Sequence, residues 1–433
     1  MVALAPRGAA DRCPGALHAI VADDGALVRV RVPGGYLPAD ALDALAAVSE
    51  RFGNGELDIT ARANVQVRGL REGDLEAVAS ALAAAGLLPS VEHERVRNIN
   101  GNTFAGADPG ELIDVRPLVA ALDRALLADP LLASLPAKFL FAIDGGGRGC
   151  ATRGADLVAR AVIVEGAVRF AIAVAGEERT PLVDAGDVVE VLIELARHAE
   201  TLARAQGCAP GTWRLATLSA SCDRIAAGLA ARVRAVTLAT NRPSSDMPLG
   251  VIPSIDGRVN LVPAIPLGRI DAVQAHALAL IARENEGDVR LAPWRGIVLG
   301  NLLPDRLPQA RAHLDDVGLS LSDDGGYTGV AACAGLHACD AAHADVRRDA
   351  ATYARTIAAL RSDERAEGGW TVNFAGCEKR CAMRRGADAE LVASATGYDV
   401  RVRGERVAQA GDADAAIAAV VVARAAAYER SRT

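Results

Sequence analysis

The chain repeats its own layout. Asp24-Gly25 opens a strand-like run, Leu37-Pro38-Ala39-Asp40 begins an amphipathic helix, a second strand is expected over Leu57–Val67, and a second helix ends at Gly86. Asp256-Gly257 opens the series again, with a helix near Asp271–Arg283, a strand near Asp288–Leu299 and a helix ending at Gly318. The offset is 232 at both ends (257 − 25 and 318 − 86). Such spacing at low residue identity reads as two copies of one βαβ-like module, related by duplication. Val28, Val30 and Val32 alternate as in a half-buried strand. The helices start at Pro or Asp and stop at Gly. Residues 91 to 240 form a larger mixed region with helical patterns at Ile113–Leu127 and Gly186–Ala205, and the stretch Thr240-Asn241-Arg242-Pro243-Ser244-Ser245-Asp246 reads as a linker. The expected order is a small module at 17–90, a larger domain at 91–240, a second small module at 247–320 and a second larger domain at 321–433.

Hydrophobic residues make up 51% and charged residues 23%, so a large core can form and wholesale disorder is not expected. A net charge of −7 and 3% aromatics argue against nucleic-acid binding, which needs a basic face or stacking platforms. The apolar stretch before Pro6 and Arg7 is too short for a signal-peptide core. Ala415 to Tyr428 contains Arg424 and is too short to span a bilayer, so it reads as a packed terminal helix. A cytoplasmic protein with no membrane partner is the expectation, and disulfides are rare there.

Eight cysteines then need another account. Cys13, Cys150, Cys208 and Cys222 are scattered, Cys13 reading as a small residue of an N-terminal arm and the others as ordinary buried thiols. The remaining four form Cys333-x5-Cys339 and Gly376-Cys377-x3-Cys381. Paired cytosolic cysteines point to metal ligation. Four thiolates suit a 4Fe–4S cubane, one per iron, and Gly335 and Gly376 allow the tight turns such ligation needs. Structural zinc prefers shorter spacing within each pair, and unligated thiols are the other alternative. A second constellation is polar. Arg62, Asn64, Gln66 and Arg68 alternate, which aims all four at one face of a strand. Arginine meets carboxylates through planar bidentate hydrogen bonds, although an exposed sheet face would look the same.

The C-x5-C and G-C-x3-C pair resembles the signature of the siroheme-dependent nitrite and sulfite reductase superfamily, in which the last cysteine, here Cys381, also faces the tetrapyrrole. Four other segments are similar: Arg31-Val-Pro-Gly-Gly35, Thr60-Ala-Arg62-Ala-Asn64-Val-Gln66, Arg97-Asn98-Ile99 and Leu135-Pro-Ala-Lys138-Phe139. The resemblance covers nearly the whole chain. It implies an α+β fold in which two ferredoxin-like modules alternate with two larger α/β domains. It also implies that Arg31, Arg62, Asn64, Gln66, Arg97, Asn98 and Lys138 surround a polycarboxylated tetrapyrrole. Arg31 and Arg62 fall at Pro263 and Trp294 in the second module, so the first copy is expected to hold the basic residues.

Sulfite-reducing members carry a second lysine two residues after the first, where this chain has Leu140. Relatives often continue the last cysteine as Cys-Ala-His-Pro; here the run is Cys381-Ala382-Met383-Arg384. Asp11-Arg12-Cys13-Pro14-Gly15-Ala16 and the run Asn54 to Gly69 look more like the precorrin-3B synthase branch. That resemblance implies a monooxygenase of aerobic cobalamin biosynthesis. It would act on precorrin-3A with dioxygen and electrons from NADH through a partner reductase. The branch is associated with an additional mononuclear non-haem iron, whose ligands the sequence does not place. Siroheme would be bound only if the chain were a nitrite or sulfite reductase instead. His337 reads as a polar loop residue, and Gly145-Gly146-Gly147 as a turn after the strand-like Phe139–Ile143. Catalytic residues are not assigned.

Overall fold

The computed structural model describes residues 2–5, 13–150, 152–175, 179–218, 235–237, 248–360, 370–383 and 386–432. The expected linker at 240–246 and Cys222 lie outside them.

Two sheets carry the repeated module. The first runs in the order Ala3–Ala5, His18–Ala22, Gly25–Val30, Val65–Leu70, Glu56–Ile59 and Arg269–Asp271. The second runs Gly250–Pro253, Val259–Val262, Ile297–Leu302, Asp288–Leu291 and Tyr36–Leu37. Each sheet takes its last strand from the other copy. Arg269–Asp271 pairs antiparallel with Glu56–Ile59, and Tyr36–Leu37 pairs antiparallel with Asp288–Leu291. The exchange is reciprocal, as at a self-complementary interface, and it covers an edge that each sheet would otherwise expose. Helices Ala39–Phe52 and Ala272–Glu284 pack together beneath the sheets. A single core, including Val28, Leu42 and Leu45 from one copy and Leu278, Ile281 and Leu299 from the other, joins them. Asp271 closes a capping box with Gln274 at the start of the second of these helices.

The duplication holds at the level of single hydrogen bonds. The N–H of Thr60 donates to the carbonyl of Asn64 at 2.9 Å, and Ala63 N–H to Thr60 at 3.0 Å. Exactly 232 residues on, Ala292 N–H donates to Gly296 at 2.9 Å and Arg295 N–H to Ala292 at 2.9 Å. Ala63 and Arg295 both adopt left-handed φ, 52° and 67°. This turn corrects the expected continuous strand Leu57–Val67, which divides into Glu56–Ile59 and Val65–Leu70. Thr60 Oγ1 accepts the N–H groups of Arg62 (3.3 Å) and Asn64 (3.1 Å), a local bond that competes with strand pairing. Arg62 and Asn64 therefore sit in a turn, and only Gln66 and Arg68 share the strand.

A second repeat relates the larger units. One sheet contains Ile99–Asn100, Phe141–Asp144, Leu157–Val164, Ala167–Val174, Arg179–Val183 and Ala235–Thr237. The other contains Val330–Ala332, Val372–Ala375, Ala389–Ser394, Gly397–Val402 and Glu405–Ala410. In each, the first three strands are parallel and the next pairings antiparallel. Parallel neighbours need a crossover. Helices Arg116–Leu127 and Val346–Ala358 provide it at equivalent places. No helix among the described residues is long and apolar enough to cross a membrane. The fold is α+β, a pair of ferredoxin-like halves with two larger sheet units.

Candidate functional site

The two cysteine loops leave the carboxyl ends of adjacent parallel strands, Val330–Ala332 and Val372–Ala375. Ligand sites in open sheets gather at such ends. Cys333 Sγ accepts the N–H of Gly376 at 3.2 Å, and the N–H of Gly335 also donates to it. Burial pushes the Cys333 thiol up, these two amides pull it down, and Cys381 and Cys339 lie close enough to raise it further. Gly376 is required here, because a Cβ would stand 2.8 Å from that of Ala342. His337 and Arg380, one in each loop, adopt left-handed φ of 70° and 48°. Backbone strain of this kind persists where the surroundings fix it. Cys333, Cys339 and Cys377 are half-buried and Cys381 is exposed.

The other larger unit shows what these loops do with one thiol in place of four. Cys333, Gly376 and Cys381 correspond to Asn102, Gly145 and Cys150 at an offset of 231 (333 − 102, 376 − 145, 381 − 150). Gly145 N–H donates to Asn102 Oδ1 at 2.7 Å, the counterpart of the Gly376 bond to Cys333. Asp108 stands where Cys339 does and accepts Arg148 N–H at 2.7 Å and Arg148 Nε at 2.8 Å. Cys150 is buried and donates to the carbonyl of Ile143 at 3.6 Å. One copy thus bonds Asn102 and Asp108 within its own loops, and the other carries four thiols, with two amides donating to Cys333. Four thiolates are the donor set a cubane would take, one per iron, and the amides at Cys333 would stabilise negative charge on that sulfur. Among the described residues no three or more His, Cys, Asp or Glu side chains, the four cysteines included, are gathered into a group that could hold a metal ion. The expected mononuclear iron therefore has no ligand set there, and His337 is an exposed loop residue.

The thiol-free loop contains a titration of its own. Glu111 Oε2 accepts Gly106 N–H at 2.6 Å, while Oε1 is buried without a partner among the described residues. Burial pushes this carboxyl from its ordinary 4.5 up to about 7. The fold thus favours the protonated form, so stability is full below pH 4.5 and is lost as pH rises through 7. Glu111→Gln is expected to flatten that slope, gaining on the order of 1 kcal/mol at pH 8 after solvent screening of a half-buried group. Urea midpoints at pH 5 and pH 8 check it; an unchanged slope refutes the assignment.

The sheet of the first module carries the charge. Arg29, Gln66, Asp58 and Arg269 stand in one row across four strands. Arg29 Nη2 donates to Gln66 Oε1 at 2.7 Å. Arg31, only 3% exposed, donates to the carbonyls of Pro14 (3.2 Å) and Arg95 (3.3 Å) and to Cys13 Sγ (3.6 Å). Its Nη1 and the Nε of Arg29 are buried without a partner among the described residues. Burial, then the charge of Arg31, lowers Arg29 to about 10, with Arg62 and Arg295 adding to the repulsion. Burial also lowers Arg62, against the pull of Cys13, with Arg31 and Arg214 repelling it. The Arg62 side chain makes no hydrogen bond among the described residues. Arg29, Arg31, Arg62, Arg214 and Arg295 thus belong to one electrostatic cluster, with Arg95 repelling Arg31 as well. Like charges held together in a partly buried site disfavour one another, and an anion relieves them.

Arg295 corrects the expectation that only the first copy supplies basic residues. Trp294 occupies the place of Arg62, but the left-handed residue after it sends a guanidinium back, with Nη2 donating to the carbonyl of Ala382 at 2.8 Å. Cys13 is likewise more than a small arm residue, since it lies buried against Arg29 and Arg31 and donates to the carbonyl of Ala137. Several residues expected at the site are committed elsewhere. Arg97 makes two bonds of 2.7 Å to Asp123. Asn64 Oδ1 accepts Val32 N–H at 2.8 Å, and Asn98 Nδ2 donates to the carbonyl of Ala137 at 3.0 Å. Lys138, half-buried, follows Ala137 directly. Leu140 packs with Ala142, Cys150, Ala155 and Val158, and its N–H donates to Asp156 Oδ2 at 2.9 Å. Burial raises Asp156, although Arg214 and Arg62 pull it down. Motif reading missed Arg29, Arg214, Arg295 and Asp156, and only the strand alternation of Arg29 with Arg31 could have pointed to any of them.

Residues 21–85 and 252–317 match the nitrite/sulfite reductase ferredoxin-like half domain, and residues 92–194 match the nitrite and sulphite reductase 4Fe-4S domain. The latter match falls on the copy without paired cysteines. The precorrin-3B synthase of a Sinorhizobium species is 29% identical over 93% of this chain and 84% of its own length. The ferredoxin–nitrite reductase of Synechococcus elongatus is 28% identical over 88% of this chain and 78% of its own. The solved structure of the Mycobacterium tuberculosis NirA protein superposes with a TM-score of 0.76 at 22% identity, covering 92% of this chain and 79% of that one, and so shares its fold. With both kinds of repeated unit matched and the likeness running through nearly the full length, the chain belongs to the iron–sulfur nitrite and sulfite reductase superfamily.

Proposed function

We propose that this chain is a precorrin-3A monooxygenase, forming precorrin-3B in aerobic cobalamin biosynthesis. The observation that carries the reading is the arginine cluster of Arg29, Arg31, Arg62, Arg214 and Arg295 beside Leu140, which stands at the second-lysine position and donates its N–H to Asp156. A uroporphyrin-type macrocycle has a rim of acetates and propionates, which suits several arginines spread along a sheet. A small oxyanion needs dense positive charge at one point, and an apolar side chain with a nearby carboxyl opposes that. The similarity to the Sinorhizobium precorrin-3B synthase over 93% of the chain supports the same choice.

In this reading the tetrapyrrole is the substrate. Arg31 and Arg62 hold its carboxylates, which fixes the macrocycle in one orientation and removes much of the entropic cost of reaction. Gln66 keeps Arg29 in the row, and Asn64 with Asn98 braces the turn and the strand end at Ala137. Cys333, Cys339, Cys377 and Cys381 would hold the cluster, which supplies electrons one at a time when bound. Of each dioxygen, one atom enters the carbon between rings A and D and the other leaves as water, using two electrons and two protons. An NADH-linked partner reductase is the proposed electron source, and a ring A acetate closes the γ-lactone.

The second reading is a siroheme-dependent nitrite or sulfite reductase, favoured by the 28% identity to the Synechococcus enzyme. The absorption spectrum of protein purified without oxygen, before and after dithionite, separates the two. A broad shoulder that bleaches, without a Soret band, together with dioxygen-dependent turnover of precorrin-3A, is the expected result. A Soret band with a strong red band, and turnover of nitrite, would overturn it.

A further inference from the structure

Three guanidiniums hold the cysteine loops by their backbone. Arg347 Nε donates to the carbonyl of Cys333 at 3.2 Å, Arg68 Nη2 to that of Ala338 at 2.5 Å, and Arg295 Nη2 to that of Ala382 at 2.8 Å. Arg347 comes from the helix Val346–Ala358, Arg68 from the sheet of the first module and Arg295 from a turn of the second. All three share one acidic neighbour. Arg347 Nη2 lies 3.2 Å from both carboxylate oxygens of Asp58, and Arg68 Nε lies 3.9 Å from one. Arg295 is close enough for Asp58 to favour its charge. A fourth arginine, Arg269, donates Nε to Asp58 at 2.8 Å.

Asp58 is 13% exposed and sits mid-sheet between Gln66 and Arg269. Asp58 thus stands against four cations, sharing Arg68 with Asp24 and Arg269 with Glu56, and three of the four reach the loops that carry the thiols. Asp58 also lies two residues before Thr60, where the turn bearing Arg62 begins. The same short strand therefore joins the carboxylate-binding turn to the loop clamp.

We propose that Asp58 is a positioning residue that aims Arg68, Arg295 and Arg347 at the cysteine loops and sets the net charge beside the cluster. The inference rests on the reading of the four thiolates as cluster ligands. Reduction adds an electron to an already anionic thiolate-bound group, so nearby positive charge favours the reduced state and nearby negative charge opposes it. Removing Asp58's charge therefore favours reduction, and removing Arg347's charge disfavours it. Loosening of the loops alone would not give opposite signs.

The test is an EPR-monitored redox titration of anaerobically purified full-length protein, with iron and acid-labile sulfide counted on the same samples. Asp58→Asn is expected to raise the reduced-to-oxidised ratio about tenfold at a fixed potential, about 59 mV for a one-electron couple. Asp58→Glu is expected to return towards wild type, and Arg347→Gln to move the ratio the other way. If Asp58→Asn does not accumulate as folded protein, the sign of the Arg347→Gln shift decides alone. A wild-type cluster whose potential neither variant moves, or that both move in one direction, overturns this inference and leaves the cluster assignment standing. A wild-type protein without iron and sulfide overturns the cluster assignment and this inference together.

Discussion

Cys333→Ala purifies without iron or acid-labile sulfide and without electron-transfer activity, whereas Cys208→Ala keeps both; this is the expected outcome of the paired substitution. Cys333 is the thiol most constrained by its surroundings. Its sulfur accepts two loop amides, and its neighbours Gly335 and Gly376 have no room for another residue without moving Val346 or Ala342. Fixed dipoles in that place offset part of what burial and the neighbouring thiols cost a thiolate there, and so lower the cost of assembling four like charges. Alanine removes both the ligand and the acceptor, leaving the Gly376 N–H without the sulfur it meets. Asn102 fills the equivalent position in the other larger unit by satisfying the equivalent amide. A Cys333→Asn variant should therefore stay folded and still bind no iron, separating loss of ligand from loss of fold. A full iron complement in Cys333→Ala would remove this residue from the ligand set. Metal analysis and circular dichroism on the three variants are sufficient.

The contrast between Cys333 and Asn102 also explains what could be read from the sequence. The ferredoxin-like duplication was legible because its punctuation is conserved in kind, with Gly86 and Gly318 both at left-handed φ after a helix. The cysteine spacing was legible because metal ligation restricts residue type. The second repeat was not, since Asn102 and Asp108 share a register with Cys333 and Cys339 but no common chemistry. The same hydrogen bond is made there by a different atom. Arg62 and Asn64 alternate with Gln66 as strand residues do, yet Thr60 bonds the backbone locally and a turn wins. Arg97 and Asn64 matched a motif, but the structure shows them satisfied by Asp123 and by Val32. Arg214 and Arg295 join the cluster across long sequence separations, and periodicity carries no information about that.

Arg62 and Arg68 are six residues apart and carry the same charge, and their alanine variants are expected to fail in different ways. Arg62 has no side-chain hydrogen bond among the described residues and is repelled by Arg31 and Arg214. Arg62→Ala therefore keeps or slightly raises Tm. It forfeits one charge-assisted bond to a tetrapyrrole carboxylate, about 1.5–3 kcal/mol, which weakens Kd about 10- to 150-fold. Arg68 is 5% exposed and donates to both oxygens of Asp24, at 2.8 and 2.9 Å. Arg68→Ala strands that carboxylate and releases the loop at Ala338. Removing one partner of a buried pair costs roughly 3–5 kcal/mol, so Tm falls sharply while the binding of tetrapyrrole to the remaining folded protein changes little. Titration with a uroporphyrin-type tetrapyrrole and a thermal melt of each variant give four numbers. A loss of affinity confined to Arg62→Ala, with a loss of stability confined to Arg68→Ala, assigns the turn to the ligand and the strand to the scaffold. Equal losses of affinity would mean that the carboxylates meet the whole sheet face, and the turn would lose its special place in the site.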